Sequence, residues 1–293
     1  MATVREIKRR IRSIQNIAQV TRAMQAVSAS KMRRAQDQAL ASRAYADDAW
    51  EMLTFLASQY KTGEEVHPLL REREPVKAMA LILITPDRGL CGGLPTNMIR
   101  AAMHFVREQT VPVHLITVGR KGRDFMVRYG QRLHATFTGI PDQPSMVDIT
   151  PIGRVVLDDF LAAVFDQVYL GYTDFINVLR HEPVIRRLLP IVPAEVSGWR
   201  AGGYIFEPDP EAILGVILPR FTQLQIYQAV LEAQASEHSA RMIAMRNASE
   251  NADELVGSLT LTYNKARQEA ITKEVMDIAG GAEALARARA MAG

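Results

Sequence analysis

Neither glycine nor proline occurs before Gly63, and after Pro219 the only one of the two before Gly280 is Gly257. These residues punctuate helices, so each end of the 293-residue chain can run as one near-continuous helix. At about 60 residues and 1.5 Å per residue, each would be about 90 Å long. The plainer reading, two amphipathic walls of a helical bundle, does not account for such length, because loops interrupt bundle helices every 10 to 25 residues or so.

The apolar spacing shows what these helices pack against. A strict 3-4 alternation from Val4 through Ile7, Ile11, Ile14 and Ala18 to Ala46, Ala49, Leu53, Leu56 and Tyr60 finds thirteen of seventeen positions apolar. The same alternation from Met242 through Met245, Ser249, Ala252, Val256, Leu259, Tyr263 and Ala266 to Ala270 finds eight of nine. That spacing is a coiled-coil seam, and its recurring alanines let two axes approach closely. The two ends are expected to pair with each other, antiparallel. The seam turns polar at Thr21, Gln25 and Ser28, where Met24 and Val27 place apolar groups on flanking positions.

Residues 76–209 change character. Strands are expected over 76–84, Val113–Val118, Leu133–Phe137 and 168–176, and helices over 96–108, Arg120–Arg128 and 152–165. This alternation implies a mostly parallel, Rossmann-like sheet covered on both faces. Residues 198–210, rich in Gly and Pro, read as a loop or short hairpin. The expected domains are an N-terminal helix over 1–75, an α/β domain over 76–209 and a C-terminal helix over 210–293 that pairs with the first.

Net charge is only +3, yet residues 1–43 carry ten Lys or Arg against Glu6 and Asp37, a local balance of +8. Such a segment suits an anionic partner: nucleic acid, an anionic membrane surface or an acidic protein loop. Nucleic acid is disfavoured because the first aromatic is Tyr45, so stacking on bases lacks a platform. With the seam set by Val4, Ile7 and Ile11, the side chains of Lys8, Arg9, Arg10, Arg12 and Arg22 point outward, as do Arg267 and Gln268 at the other end. The single cysteine, Cys91, excludes an intramolecular disulfide and a cysteine-rich metal site, and suits a reducing compartment. No segment reaches the roughly 18 apolar residues of a membrane span, and the first residues lack the apolar core of a signal peptide, so a soluble or peripheral protein is expected.

Enzymatic chemistry finds little support. The turn Asp87-Arg88-Gly89-Leu90-Cys91-Gly92-Gly93 sits where dinucleotide-binding folds place their phosphate loop, but its spacing is not their fingerprint. The basic Gly119-Arg120-Lys121 at the end of the second strand could suit a 2′-phosphate, which keeps an NADP-binding α/β protein as the alternative reading. Cys91 as a nucleophile, with His104 or His114 as base, has no paired motif around it. His67, His104, His114, His134, His181 and His238 show no ligand spacing. The adjacent carboxylates Glu64-Glu65 and Asp158-Asp159 do not make an acid/base pair.

Four stretches, in order, make the chain recognisable: Val20-Thr21-Arg22-Ala23-Met24-Gln25-Ala26-Val27-Ser28-Ala29-Ser30-Lys31-Met32; Asp87-Arg88-Gly89-Leu90-Cys91-Gly92-Gly93-Leu94; Ala244-Met245-Arg246-Asn247-Ala248-Ser249-Glu250-Asn251-Ala252; and Tyr263-Asn264-Lys265-Ala266-Arg267-Gln268 leading to Ile271-Thr272-Lys273-Glu274 and Gly280-Gly281-Ala282. Together they resemble the gamma subunit of F-type ATP synthases over essentially the whole chain. The resemblance implies an antiparallel coiled-coil shaft inside a ring of three alpha and three beta subunits. It implies an α/β foot against the epsilon subunit and the membrane rotor ring (c ring), on the cytoplasmic face of a bacterial inner membrane. It further implies that the chain binds no cofactor and is not itself the catalyst: it couples ion flow to ATP synthesis or hydrolysis on the beta subunits and regulates that ATPase activity.

Carried over residue by residue, Arg267 and Gln268 resemble the pair that hydrogen-bonds a loop of a beta subunit. Met24 and Arg22 match the shaft segment near the acidic lever of beta, with Lys8, Arg9 and Arg10 supplying cations of the needed sign. Thr272 and Glu274 match further shaft residues that bear on coupling. Two departures stand out: Pro95 after Gly93-Leu94, which fits a first helical turn, and the tail from Ala286 to Gly293. The cysteine-bearing insertion of chloroplast relatives is absent, so thiol regulation is not expected.

Overall fold

The computed structural model describes residues 3–58, 67–192 and 210–292. Five helices and five strands follow in the order α1 (Val4–Ser58), β1 (Met79–Ile84), α2 (Leu94–Glu108), β2 (Val113–Val118), α3 (Arg120–Arg128), β3 (Leu133–Phe137), α4 (Met146–Leu161), β4 (Gln167–Phe175), β5 (His181–Leu189) and α5 (Pro210–Ala292). The chain divides into two units, residues 1–26 with 244–293 and residues 27–243, so α1 and α5 each contribute to both.

The first unit is the pair of terminal helix segments. Every seam position of α1 from Val4 to Gln25 is buried or half-buried, with Ile7, Ala18 and Thr21 the most enclosed. On α5 the same holds from Met245 to Ala266. Thr21 Oγ1 and Ser249 Oγ meet across the seam at 2.6 Å, and each hydroxyl also reaches a carbonyl of its own helix, Thr21 that of Ile17 at 3.0 Å and Ser249 that of Met245 at 3.0 Å. Val4 lies seventeen residues before Thr21 and Ala266 seventeen after Ser249, so burial ends together on both helices, as antiparallel pairing requires. From Arg267 to Ala282 α5 is exposed throughout. The seam expected from residue 42 onward lies outside the described side chains.

The second unit is the α/β domain. Its strand order is β3-β2-β1-β4-β5, with β3, β2, β1 and β4 parallel and β5 antiparallel to β4. Alternation along β1 explains the two cores. Ala80, Ile82 and Ile84 face α4 and the first third of α5, through Ile152, Val156, Phe160, Leu218 and Phe221. Leu81 and Leu83 face α2 and α3, through Met98, Ala102 and Met126.

Strands β2 and β3 and helix α3 coincide with their expected bounds. Strands β1 and β4 and helix α2 shift by one to three residues, α5 keeps its expected start, and α4 and β5 differ more. Helix α4 begins at Met146 and not near 152, because Ser145 and Asp148 form a capping box there and Pro151 is accommodated inside the helix. Helix α5 begins at Pro210 and runs through Pro219. Strand β5 was not expected, since the alternating and charged His181-Glu182-Pro183-Val184-Ile185-Arg186-Arg187 is the composition of an edge strand, where Pro and charge are tolerated. The expected loop over 198–209 lies outside the described residues.

One glycine is indispensable to this architecture. Gly119, between β2 and α3, has φ +101, and a Cβ there would stand 1.8 Å from the carbonyl oxygen of Thr85. Neither a backbone atom nor a positive φ can yield cheaply, so Gly119→Ala should destabilise the α/β domain by roughly 3 kcal/mol or more. Chemical denaturation followed by circular dichroism measures this, and an unchanged midpoint would contradict the geometry.

Candidate functional site

All nine positions singled out by the resemblance lie on the helix-pair unit, and the structure distributes them in tiers. Lys8, Arg9 and Arg10 are exposed; being consecutive, they fan over roughly 200° of the helix surface. Arg22 is exposed as expected, but its guanidinium is paired with the Asp253 carboxylate of α5. Asp253 was missed by sequence reasoning, since nothing local links two residues 231 positions apart. Met24 is half-buried, which suits a flank of the seam. Arg267 and Gln268 are exposed beside half-buried Ala266, and Thr272 and Glu274 are exposed on the part of α5 that α1 does not cover. Counted from the Thr21–Ser249 contact, Met24 stands three residues to one side and Arg267 eighteen to the other, roughly 30 Å apart along the axis. These residues therefore form no single pocket.

The electrostatics of the unit are lopsided. Within residues 4–26, six cations face one carboxylate, Glu6; within 244–293, six cations face seven carboxylates. One helix thus carries +5 and its partner −1, so the surface potential changes with direction around the pair. Such a body can present different charge to different neighbours.

The start of α3, after the second strand, is tied to the segment that follows β1, and its first backbone N–H groups are taken up internally. Arg120 N donates to Asp87 Oδ1 at 2.8 Å, Lys121 N to the Pro86 carbonyl at 3.1 Å and Gly122 N to Thr85 Oγ1 at 2.9 Å. The other oxygen of Asp87 accepts from Gly139 N at 2.8 Å. Asp87 thus engages Arg120, whose guanidinium it also approaches to 3.9 Å; Arg120 is one of the cations that could suit a 2′-phosphate, which weighs against the NADP reading. Cys91 is buried, and desolvation followed by the nearby Glu237 carboxylate pushes its thiol up, away from thiolate. The bases considered for it are engaged elsewhere: His104 with Glu108 at 3.0 Å and His114 edge-on to His134. Among the described residues no group of three or more His, Cys, Asp or Glu could hold a metal, and no helix is long and apolar enough to cross a membrane.

Comparison with known proteins points in one direction. The family described as ATP synthase matches residues 3–285. The ATP synthase gamma chain of Dehalococcoides mccartyi (strain CBDB1) is 51% identical over 286 residues, covering 98% of this chain and all of that one. That of Roseiflexus castenholzii is 51% identical over 289 residues, covering 98% and 99%. Among solved structures, a chain of the Euglena gracilis mitochondrial ATP synthase (OSCP/F1/c-ring, rotational state 3) superposes with TM-score 0.69 at 20% identity, over 96% of this chain and 94% of that one. A chain of the rotor of the same assembly gives 0.64 at 21%, over 92% and 98%. At that identity the structural likeness speaks for the fold.

One buried group makes the α/β domain sensitive to pH. His238 on α5 is 3% exposed. Its Nδ1 faces Arg241 Nη1 at 3.3 Å and, since a guanidinium only donates, accepts. The ring proton of the neutral form is then on Nε2, 3.7 Å from Asp142 Oδ1. Burial first, then the Arg241 charge, pulls His238 down to about 4, with Asp142 opposing and Lys31 adding to the fall. For Asp142, desolvation alone would raise the carboxyl, but the Lys31 ammonium at 2.6 Å leaves it below its usual range. An unfolded histidine takes up its proton near pH 6.5 and the folded one does not, so stability is complete above that value and declines as pH falls towards 4. The full loss would be about 3 kcal/mol. Denaturation midpoints between pH 7 and 4.5 should fall in the natural chain and flatten in His238→Gln; parallel slopes would assign the effect to other groups.

Proposed function

Because this chain belongs to the ATP synthase gamma-chain family, whose central shaft it is, we propose that its paired terminal helices turn inside a ring of three alpha and three beta subunits. In this role the α/β domain is the foot, held by an epsilon-type subunit and the membrane rotor c ring. The chain is a non-catalytic subunit, and it sits peripherally at the cytoplasmic face of a bacterial cell membrane. The observation that carries this reading is the asymmetric helix pair, cationic along α1 and near neutral along α5, with α5 continuing uncovered past Ala266.

The physical logic is that of a ligand acting on three coupled sites. A shaft can bias the nucleotide affinity of a catalytic subunit only through contacts that differ between that subunit's conformations. A round, uniformly charged shaft would bias all three alike and couple nothing. The tiers supply the differences: Lys8, Arg9 and Arg10 for an acidic lever of beta, Arg22 and Met24 further along α1, and Arg267 and Gln268 as directional donors to a beta loop. Ile271, Val275, Met276 and Ile278 are exposed on the uncovered part of α5, beside Thr272 and Glu274. Apolar side chains in that number suit an apolar sleeve, which the ring would supply.

Three experiments follow. Alpha and beta subunits co-expressed with this chain should yield a three-plus-three assembly holding one copy of it, with ATP turnover that depends on its presence; an assembly that excludes it would refute the reading. Arg267→Ala with Gln268→Ala removes charge-assisted hydrogen bonds of about 1.5 to 3 kcal/mol, so turnover should fall about tenfold or more with assembly retained. Met24→Lys adds a cation beside the acidic lever, an attraction that outlasts its place in the cycle. Fewer ions pumped per ATP, with hydrolysis largely kept, is the expected result, and unchanged pumping per ATP would count against the assignment of Met24.

A further inference from the structure

Between Tyr227 and Arg241, polar side chains of α5 donate to backbone carbonyls of other elements. Tyr227 Oη reaches the Pro144 carbonyl at 3.2 Å and Gln234 Nε2 that of Pro141 at 2.8 Å, both in the loop between β3 and α4. Ser236 Oγ reaches the Thr173 carbonyl, within β4 opposite Pro183, at 3.1 Å, and Ser239 Oγ that of Val178, in the turn from β4 to β5, at 2.8 Å. Arg241 Nε and Nη2 both reach the Gly89 carbonyl at 3.3 Å, in the turn after β1. The same loop that carries Pro141 ties α1 through the 2.6 Å pair of Asp142 with Lys31. One stretch of α5, roughly 20 Å long, therefore holds three separate loops at the carboxyl end of the sheet.

These bonds do work that the apolar core cannot. Ser236 and Ser239 are fully buried, and a helical serine hydroxyl ordinarily returns to its own preceding turn; here each directs its single proton to another element. Arg241 is 9% exposed and is steadied by Glu237 at 2.6 Å. Phe221, Ile226, Ala229 and Val230 pack the same helix against the sheet, but apolar burial is non-directional and opposes separation more than turning. Hydrogen bonds weaken steeply with angle. Bonds from several sides of one helix to fixed carbonyls therefore resist rotation of that helix about its own axis, which is the load a driven foot places on its shaft.

Resting on the shaft role above, we propose that these side-chain-to-carbonyl bonds form a torsional collar through which the α/β domain grips α5 and α1 and passes torque to them. Ser236, Ser239 and Arg241, all buried within this chain, are its positioning residues.

The test uses the full synthase carrying Ser236→Ala with Ser239→Ala, and separately Lys31→Met. The rotor's torsional spring constant is read from the angular fluctuations of a bead on the c ring while the catalytic ring is arrested. A collar predicts a roughly twofold fall in stiffness for the serine pair and a smaller fall for Lys31→Met, with subunit mass and ATP hydrolysis by the soluble part unchanged. Natural stiffness in both variants, in intact complexes, overturns the collar. If the serine variant does not assemble, Lys31→Met decides alone, because that pair is partly exposed and its loss leaves the core intact. Failure of the unaltered chain to enter the assembly would instead sink the shaft role itself.

Discussion

Burial of a 3-4 seam between the two ends of one chain is the interaction on which the rest depends. Neither helix segment could be stable alone in water at this length and composition, since most helical stability in proteins comes from a packed face. The seam is narrow and lined with alanine, serine and threonine at its inner positions, which brings the axes close and leaves long charged side chains to project on either side. Thr21 and Ser249, buried and in contact at 2.6 Å, would lose this mutual bond in any other register although each can still reach a carbonyl of its own helix, so they favour the observed alignment as a buried polar residue does in a coiled coil. Every tier of outward residues inherits its height and direction from that alignment.

The α/β domain solves a different problem with the same helices. There α5 is a core element, burying Leu214, Leu218, Phe221 and Ile226 against the sheet, and a few residues later it becomes a polar clasp. Asp87 and Thr85 tie the start of α3 and Gly139 to the segment after β1, and the reactive-looking Cys91 is buried with a raised thiol.

Much of this was legible in the residues. The absence of Gly and Pro together with the 3-4 spacing foretold both long helices, their pairing and the outward direction of Lys8, Arg9, Arg10, Arg267 and Gln268. Apolar runs foretold β1 and β2, because buried parallel strands are continuous in character. What stayed hidden depended on contacts between distant positions. The first turns of α4 are a local exception, hidden because a capping box carries the helix through Pro151. Strand β5 was masked by Pro183, Arg186 and Arg187, which are tolerated at a strand whose outer edge has no neighbour among the described residues. The Arg22–Asp253 pair and the bonds of Ser236, Ser239 and Arg241 to backbone carbonyls of other elements leave no periodic trace, since a serine that grips another element and a serine that faces water look alike in a sequence.

The pairing of the first and last helices also dictates an order of events during synthesis. The apolar face of α1 emerges from the ribosome first, and its partner from Met245 to Ala266 emerges only after the whole α/β domain has been made. At 5 to 20 residues per second, the gap is roughly ten to fifty seconds. Throughout it the nascent chain carries an uncovered seam beside a row of like charges. Those cations discourage two such chains from meeting seam to seam, so the lopsided charge that steers the finished shaft can also keep unfinished copies apart.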